Sequence, residues 1–169
     1  MKKLILLLLI FCCFKLHAQV PPVQNNTAFS IGAELTIPSY GLYSIGTGLS
    51  AKFETPIVSP VSLSLTAGFT SVFYKSNLLY NTGSPGASEF APIKAGLKYY
   101  LVQSVYAEGE AGTAIELNHN KQDLFAFSFG LGFLAPISEK RAIDISFRYE
   151  DWQGQLKQTA LRFAYRFGR

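Results

Sequence analysis

From Thr27 onward, apolar and polar residues alternate with a period of two over almost the whole chain, the pattern of strands that bury one face. Eight such segments can be delimited. Thr27–Ile37 sets Phe29, Ile31, Ala33, Leu35 and Ile37 on one face, and Ile45–Thr55 does the same with Ile45, Thr47, Leu49, Ala51 and Phe53. Val61–Tyr74 presents Val61, Leu63, Leu65, Ala67, Phe69 and Phe73, and Phe90–Leu101 presents Ile93, Ala95, Leu97, Tyr99 and Leu101. Val105–Leu117 follows with Val105, Ala107, Ala111, Ile115 and Leu117. Leu124–Leu134 alternates strictly, Phe125, Phe127, Phe129, Leu131 and Phe133 against Ala126, Ser128, Gly130 and Gly132. Ala142–Asp151 and Thr159–Phe167 complete the set with Ile143, Ile145, Phe147, Tyr149 and with Leu161, Phe163, Tyr165, Phe167.

The connections fall into two classes. Pro38–Ser44, Lys75–Glu89, Asn118–Asp123 and Trp152–Gln158 alternate with the shorter Pro56–Pro60, Val102–Ser104 and Pro136–Arg141. Eight antiparallel strands with long and short connections on opposite ends predict an up-and-down barrel.

Which face meets which solvent is decided by the other half of the pattern. Opposite the apolar positions stand Glu34, Lys52, Glu54, Lys94, Lys98, Glu108, Glu110, Glu116, Asp144, Arg148, Glu150, Arg162 and Arg166, seven acids and six bases. Gly32, Gly46, Gly48, Gly68, Gly96, Gly112, Gly130 and Gly132 share that face. In a soluble barrel the apolar face would fill the inside, but eight strands leave a lumen too narrow for so many aromatic rings. Glycines on a solvent face would weaken the strands and pack nothing. Inverted, large apolar residues face lipid, while small and oppositely charged residues fill the lumen and offset each other's desolvation. A one-residue slip would turn the charges outward, at about 2–4 kcal/mol for each base near the midplane. The fold class predicted is therefore an all-β, eight-stranded antiparallel up-and-down transmembrane β-barrel. Tyr43, Phe73, Tyr149 and Trp152 near the long-loop ends, and Phe53, Tyr99, Phe133, Tyr165 and Phe167 near the short-turn ends, suggest two aromatic girdles at the headgroups.

Composition narrows the class further. The basic start Met1-Lys2-Lys3, the apolar run Leu4–Phe14 and Ala18 at a cleavage position read as a signal peptide over 1–18, with a lead-in over 19–26 and the barrel over 27–169. Both cysteines, Cys12 and Cys13, fall in the signal, leaving no disulfide or thiol ligand in the expected mature chain. Ile10-Phe11 before Cys12 does not suit lipid attachment. The formal charge of +4 includes Lys2, Lys3 and Lys15; without them twelve bases face eleven acids, and a nucleic-acid role has no support.

Three stretches resemble the small outer-membrane β-barrel family typified by the OmpA transmembrane domain and OmpX. They are Pro92-Ile93-Lys94-Ala95-Gly96-Leu97-Lys98-Tyr99-Tyr100, Tyr106-Ala107-Glu108-Gly109-Glu110-Ala111-Gly112, and the ending Leu161-Arg162-Phe163-Ala164-Tyr165-Arg166-Phe167. The resemblance covers about Thr27–Phe167. It implies a Gram-negative outer-membrane location with both ends in the periplasm, outer-membrane lipids and lipopolysaccharide around the barrel, and insertion by the barrel-assembly machinery. The ending is similar to the family's C-terminal assembly signal, from which it departs by the two residues Gly168-Arg169. No peptidoglycan-binding domain follows, so a wall anchor is not expected.

Candidate chemistry is sparse. His119, in the Asn118–Asp123 loop, is the single histidine outside the expected signal; the rim enzymes that modify lipid A, which it invites comparison with, would want a serine where Lys121 stands. Glu108 and Glu110 are spaced as paired carboxylates, but ion pairing with Lys94 and Lys98 of the neighbouring segment accounts for them. Gly46-Thr47-Gly48 and Gly130-Leu131-Gly132 open no helix, so they are not phosphate loops. No catalytic, cofactor or metal residues are assigned, and no enzyme activity is expected. The loop Lys75–Glu89 (KSNLLYNTGSPGASE), with Leu78, Leu79 and Tyr80, is the candidate for contact with an extracellular partner or with headgroups. The expectation is a monomeric scaffold with a closed, charge-paired lumen. A narrow pore for small solutes and a lipid-modifying enzyme are the alternatives.

Overall fold

The structure, a computed structural model, describes residues 26–39, 42–75, 86–118 and 121–168. Eight strands run in order: β1 (Ala28–Pro38), β2 (Tyr43–Val58), β3 (Val61–Tyr74), β4 (Ala87–Val102), β5 (Val105–Glu116), β6 (Asp123–Ser138), β7 (Arg141–Trp152) and β8 (Leu156–Phe167). Each pairs antiparallel with its neighbours in sequence, and β8 returns to β1 to close the barrel. The shortest strand has 11 residues, enough for a tilted strand to cross a bilayer core, which takes about 9–11. Closure leaves no free sheet edge along the length of the barrel.

Every described residue with a buried side chain carries an even number, from Ala28 to Arg166. This holds because the interstrand registers join even to even: Glu34 faces Arg162, Lys98 faces Glu108, and Ser128 faces Glu150. The three short turns contain only two residues each, Ser59-Pro60, Gln103-Ser104 and Glu139-Lys140. Each is preceded by a register shift, between Pro56 and Val58, Tyr100 and Val102, and Pro136 and Ser138. The bulge absorbs the odd residue that a two-residue turn would introduce, so the faces never exchange. The second turn residue is also held by the strand beyond: Tyr100 N donates to Pro60 O at 3.0 Å, Leu134 N to Ser104 O at 2.7 Å and Gly168 N to Lys140 O at 2.9 Å.

The alternation thus predicts the eight strands and their inward faces, while several boundaries differ. Pro56 and Pro136, expected in connections, belong to β2 and β6, which run on to Val58 and Ser138. Pro56 lies beyond the last residue that β1 pairs, Ala28 with Glu54, and Pro136 lies beyond the last that β5 pairs, Val105 with Phe133. A missing N–H is tolerated at such an open edge. The expected loop Trp152–Gln158 shrinks to Gln153–Gln155, where Gln153 and Gly154 have positive φ and Asp151 accepts from Gly154 N at 2.7 Å. The signal peptide, His119 and the tip of the Lys75–Glu89 loop, with Leu78, Leu79 and Tyr80, lie outside the described residues.

Glycine on the inner face makes room for specific neighbours. A Cβ at Gly132 would collide with the Tyr106 ring, and one at Gly130 with Arg148. Gly168 adopts φ +87° and approaches Thr27 O too closely for a side chain. Overpacking of this kind typically costs about 1–3 kcal/mol. Gly132→Ala is therefore expected to lower the free energy of unfolding in micelles by about that amount, read from urea titration. Gly86→Ala, where a Cβ meets nothing within 4 Å, should leave it within about 0.5 kcal/mol.

Candidate functional site: a lumen filled by one chain of ion pairs

The even positions of the barrel wall project into a narrow lumen, where twelve charged side chains join in one unbroken series. Glu108 meets Lys52 at 2.5 Å, and Lys52 meets Glu110 at 3.2 Å. Lys94 links Glu110 (3.7 Å) to Glu150 (2.6 Å), and Arg148 links Glu150 (2.6 Å) to Glu34 (2.5 Å). Arg162 links Glu34 (3.7 Å) to Asp144 (3.6 Å). Lys98 links Asp144 (3.9 Å) to Glu54 (2.8 Å), and Arg166 ends the series on Glu54 at 2.6 Å. Six acids and six bases alternate along it, so the enclosed charge cancels.

Several links cross the lumen instead of following the wall. Lys52 on β2 reaches β5, Lys94 on β4 reaches β7, Arg148 on β7 reaches β1, and Lys98 on β4 reaches both β2 and β7. β3 and β6 contribute no charge to the series and supply small side chains at its level. Thr66 donates to Glu110 Oε1 at 2.5 Å, and Ser128 lies 3.4 Å from Glu110 Oε2. Arg162 also donates to Ser50 Oγ at 2.8 Å and Ser30 Oγ at 3.0 Å.

The two ends of the lumen differ. Toward the longer loops, Val72, Phe90, Ala114, Leu124, Ala126, Trp152 and Leu156 form an apolar plug above the charges. The Phe90 and Trp152 rings meet edge to face, 5.1 Å between centroids. Toward the two-residue turns, Tyr100, Tyr106 and Leu134 close the lumen. The Tyr100 hydroxyl donates to Glu54 and the Tyr106 hydroxyl to Asp144, so both rings cap the ionic series with their polar tips. Lys98 Nζ lies 4.0 Å from the Tyr106 ring centroid. A cavity between Tyr106, Glu108, Ser128, Gly130 and Arg148 measures about 10 Å³, room for a single water molecule.

Twelve of the thirteen expected inner charges are therefore brought together, with corrections to their partners; Glu116, buried at the loop-side end of β5, stands outside the series. Glu110 meets Lys94 as expected. Glu108 and Lys98, direct partners in register, make no ion pair within 4.0 Å; the close contacts of Glu108 are with Lys52 and those of Lys98 with Glu54 and Asp144. In a lumen this narrow, long side chains find partners across the axis as readily as along the wall. Two expected girdle residues also turn inward. Trp152 is 1% exposed within the plug, and Tyr43 packs against the plug with its hydroxyl 3.1 Å from Ser88 Oγ. Phe53, Phe73, Tyr99, Phe133 and Phe167 do face outward. The plug itself was not foreseen, although Val72, Phe90, Leu124, Trp152 and Leu156 all stand at even positions, and that parity marks them as inward.

Chemically, this arrangement binds its own charges. Its carboxylates are buried and engaged by cations, and among the described residues no group of His, Cys, Asp and Glu has the placement to hold a metal ion. Outside, Phe29, Leu49, Phe69, Leu97, Phe127, Phe147 and Phe163 are among the large apolar residues exposed around the wall. Apolar surface this continuous exceeds the few hundred Å² found on soluble monomers and marks a membrane face.

Glu54 accepts from Lys98, Arg166 and Tyr100, and Glu54→Gln strands two buried cations. Its unfolding free energy should fall by about 3–5 kcal/mol in urea titration, whereas Lys157→Ala, at an exposed pair with Asp151, should cost under about 1 kcal/mol. Trp152 is the one tryptophan, so its fluorescence reports the plug. Acyl-brominated lipids should quench it weakly, and should quench a Phe129→Trp probe in a Trp152→Phe background strongly.

No family model and no curated protein matches the chain. Solved structures do. Ail, the attachment invasion locus protein of Yersinia pestis, aligns with a TM-score of 0.59 at 16% identity over 85% of this chain and 99% of its own. OprG from Pseudomonas aeruginosa gives 0.59 at 15% identity over 88% and 95%, and Neisserial surface protein A gives 0.58 at 14% over 86% and 97%. The chain has the closed eight-stranded barrel fold of small outer-membrane proteins.

Proposed function

We propose that the chain is a monomeric scaffold in a Gram-negative outer membrane, with its termini and two-residue turns in the periplasm and its longer loops outside. The observation that carries this reading is the continuous ion-pair series capped by an apolar plug. On this reading no aqueous path runs through the lumen, and what the barrel offers its surroundings is a rigid wall and the loops mounted on it. Outer-membrane lipids and lipopolysaccharide surround the wall, and the barrel-assembly machinery inserts it. The loop over residues 75–89 is the proposed contact with an extracellular partner. The shared fold with a protein named for attachment and invasion supports an interaction role.

No catalytic function is proposed. A lipid-modifying site at the rim would have to be built on His119, with no partner set in the sequence to activate it. A narrow pore would require the ionic series and the Phe90–Trp152 plug to part together. The protein reconstituted in planar bilayers is expected to show no sustained conductance, and openings of general-porin size would overturn the closed-lumen reading. Overproduction is expected to leave lipid A composition unchanged; altered acylation that His119→Ala abolishes would establish the enzymatic reading instead.

A further inference from the structure

Among the described residues the outer wall has a recess over β5. β5 is the single strand without a large exposed apolar residue: Ala107, Gly109 and Ala111 stand where neighbouring strands carry bulky side chains. In register, Gly109 lies between Leu97 of β4 and Phe129 of β6, and Ala107 lies between Tyr99 and Leu131. The result is a groove with a floor of Ala107 and Gly109 and apolar walls, about 580 Å³ in volume. The far wall carries the Phe129 and Tyr149 rings, 5.6 Å between centroids and tilted by 46°. This volume is within the ~300–1,000 Å³ range of sites that hold a small molecule.

Gly109 is singular among the strand glycines. A Cβ on Gly32, Gly46, Gly48, Gly68, Gly96, Gly112, Gly130 or Gly132 would meet an atom of the chain within 3 Å. One on Gly109 would meet nothing closer than Ser128 O at 4.0 Å, and its φ is not in the left-handed region. Nothing inside the protein requires glycine there. A glycine in a strand often marks a place where a ligand or another backbone approaches closely.

We propose that this groove holds one acyl chain of a phospholipid from the membrane leaflet on the side of the two-residue turns. The groove is continuous with the lipid-facing wall, so hydrocarbon is what it meets. Its floor, Ala107 and Gly109, lies in the first half of β5 after the Gln103-Ser104 turn, nearer the two-residue turns than the longer loops. A second copy related by a two-fold axis would present the same hollow, and two hollows face to face leave a void in place of a contact. A single methylene chain fills a narrow apolar trough bounded by rings. The proposal rests on the membrane-spanning reading and on the periplasmic placement of those turns.

The test uses the whole barrel folded in micelles, with the mobility change on heating confirming the fold of each variant before binding is read. Native mass spectrometry with added phosphatidylethanolamine should show one more retained lipid per barrel for the unaltered protein than for Gly109→Leu. Ala33→Leu, on the outer face of β1, should match the unaltered protein. Equal retention by Gly109→Leu would overturn the proposal, and so would loss by that variant of a lipid A adduct in place of the phospholipid. Gly109→Cys is expected to stay monomeric on oxidation; a disulfide-linked dimer would overturn the proposal in favour of a second copy. A failed heating shift would instead strike at the barrel reading itself.

Discussion

The cost of setting a charge against hydrocarbon governs this barrel. Thirteen charged residues had to be kept off the lipid face, and a two-residue period keeps them off only if no connection ever exchanges the faces. The even numbering of every described buried residue is the trace of that constraint. Two-residue turns would break it, and the bulges at Pro56/Val58, Tyr100/Val102 and Pro136/Ser138 restore it each time. The turn end is thus as tightly specified as the strands.

Once inside, the charges face a second problem, since leaving water is costly for each of them. The structure answers with alternation: each acid in the ionic series has a base beside it, and Tyr100 and Tyr106 add hydroxyl donors at its lower boundary. Links such as Lys98 to Glu54 and Arg148 to Glu34 tie together strands that are not neighbours in the wall. A slipped strand would lose partners on the far side of the barrel as well as beside it. The uncharged inner faces of β3 and β6 are part of the same solution, because a further layer of long side chains would not fit.

Much of this was legible in the sequence. Period-two alternation identified all eight strands, and the charges opposite Phe125, Phe127 and Phe129 identified the lumen. What could not be read was pairing across the axis. Lys98 and Glu108 are adjacent in register, yet each makes its close ion pairs elsewhere, because the closed geometry offers partners that no linear pattern encodes. The inward turn of Trp152 and Tyr43 is hidden for a different reason. An aromatic near a strand end fits a headgroup girdle by type, and only its place in the alternation shows that it points inward. Trp152 shares its parity with Arg148 and Glu150, a sufficient signal; Tyr43 does not, because an irregularity between Tyr43 and Ile45 changes its direction. The prolines of β2 and β6 looked like turn residues because the staggered strand ends that accommodate them exist only in the closed barrel.

The backbone hydrogen bonds that secure the short turns also order the hairpins along the chain. Pro60 O is satisfied by β4, Ser104 O by β6, and Lys140 O by the glycine that follows β8. Each hairpin is therefore fastened by the one after it, and the last has no hairpin left to fasten it. Gly168 takes that place, in a conformation that glycine adopts without strain and at a spot where Thr27 O leaves no room for a side chain. A chain ending at Phe167 would possess all eight strands and still lack its final clasp. The residue past the terminal aromatic, which reads as a blemish on an outer-membrane ending, is the point at which the sequence of fastenings is completed.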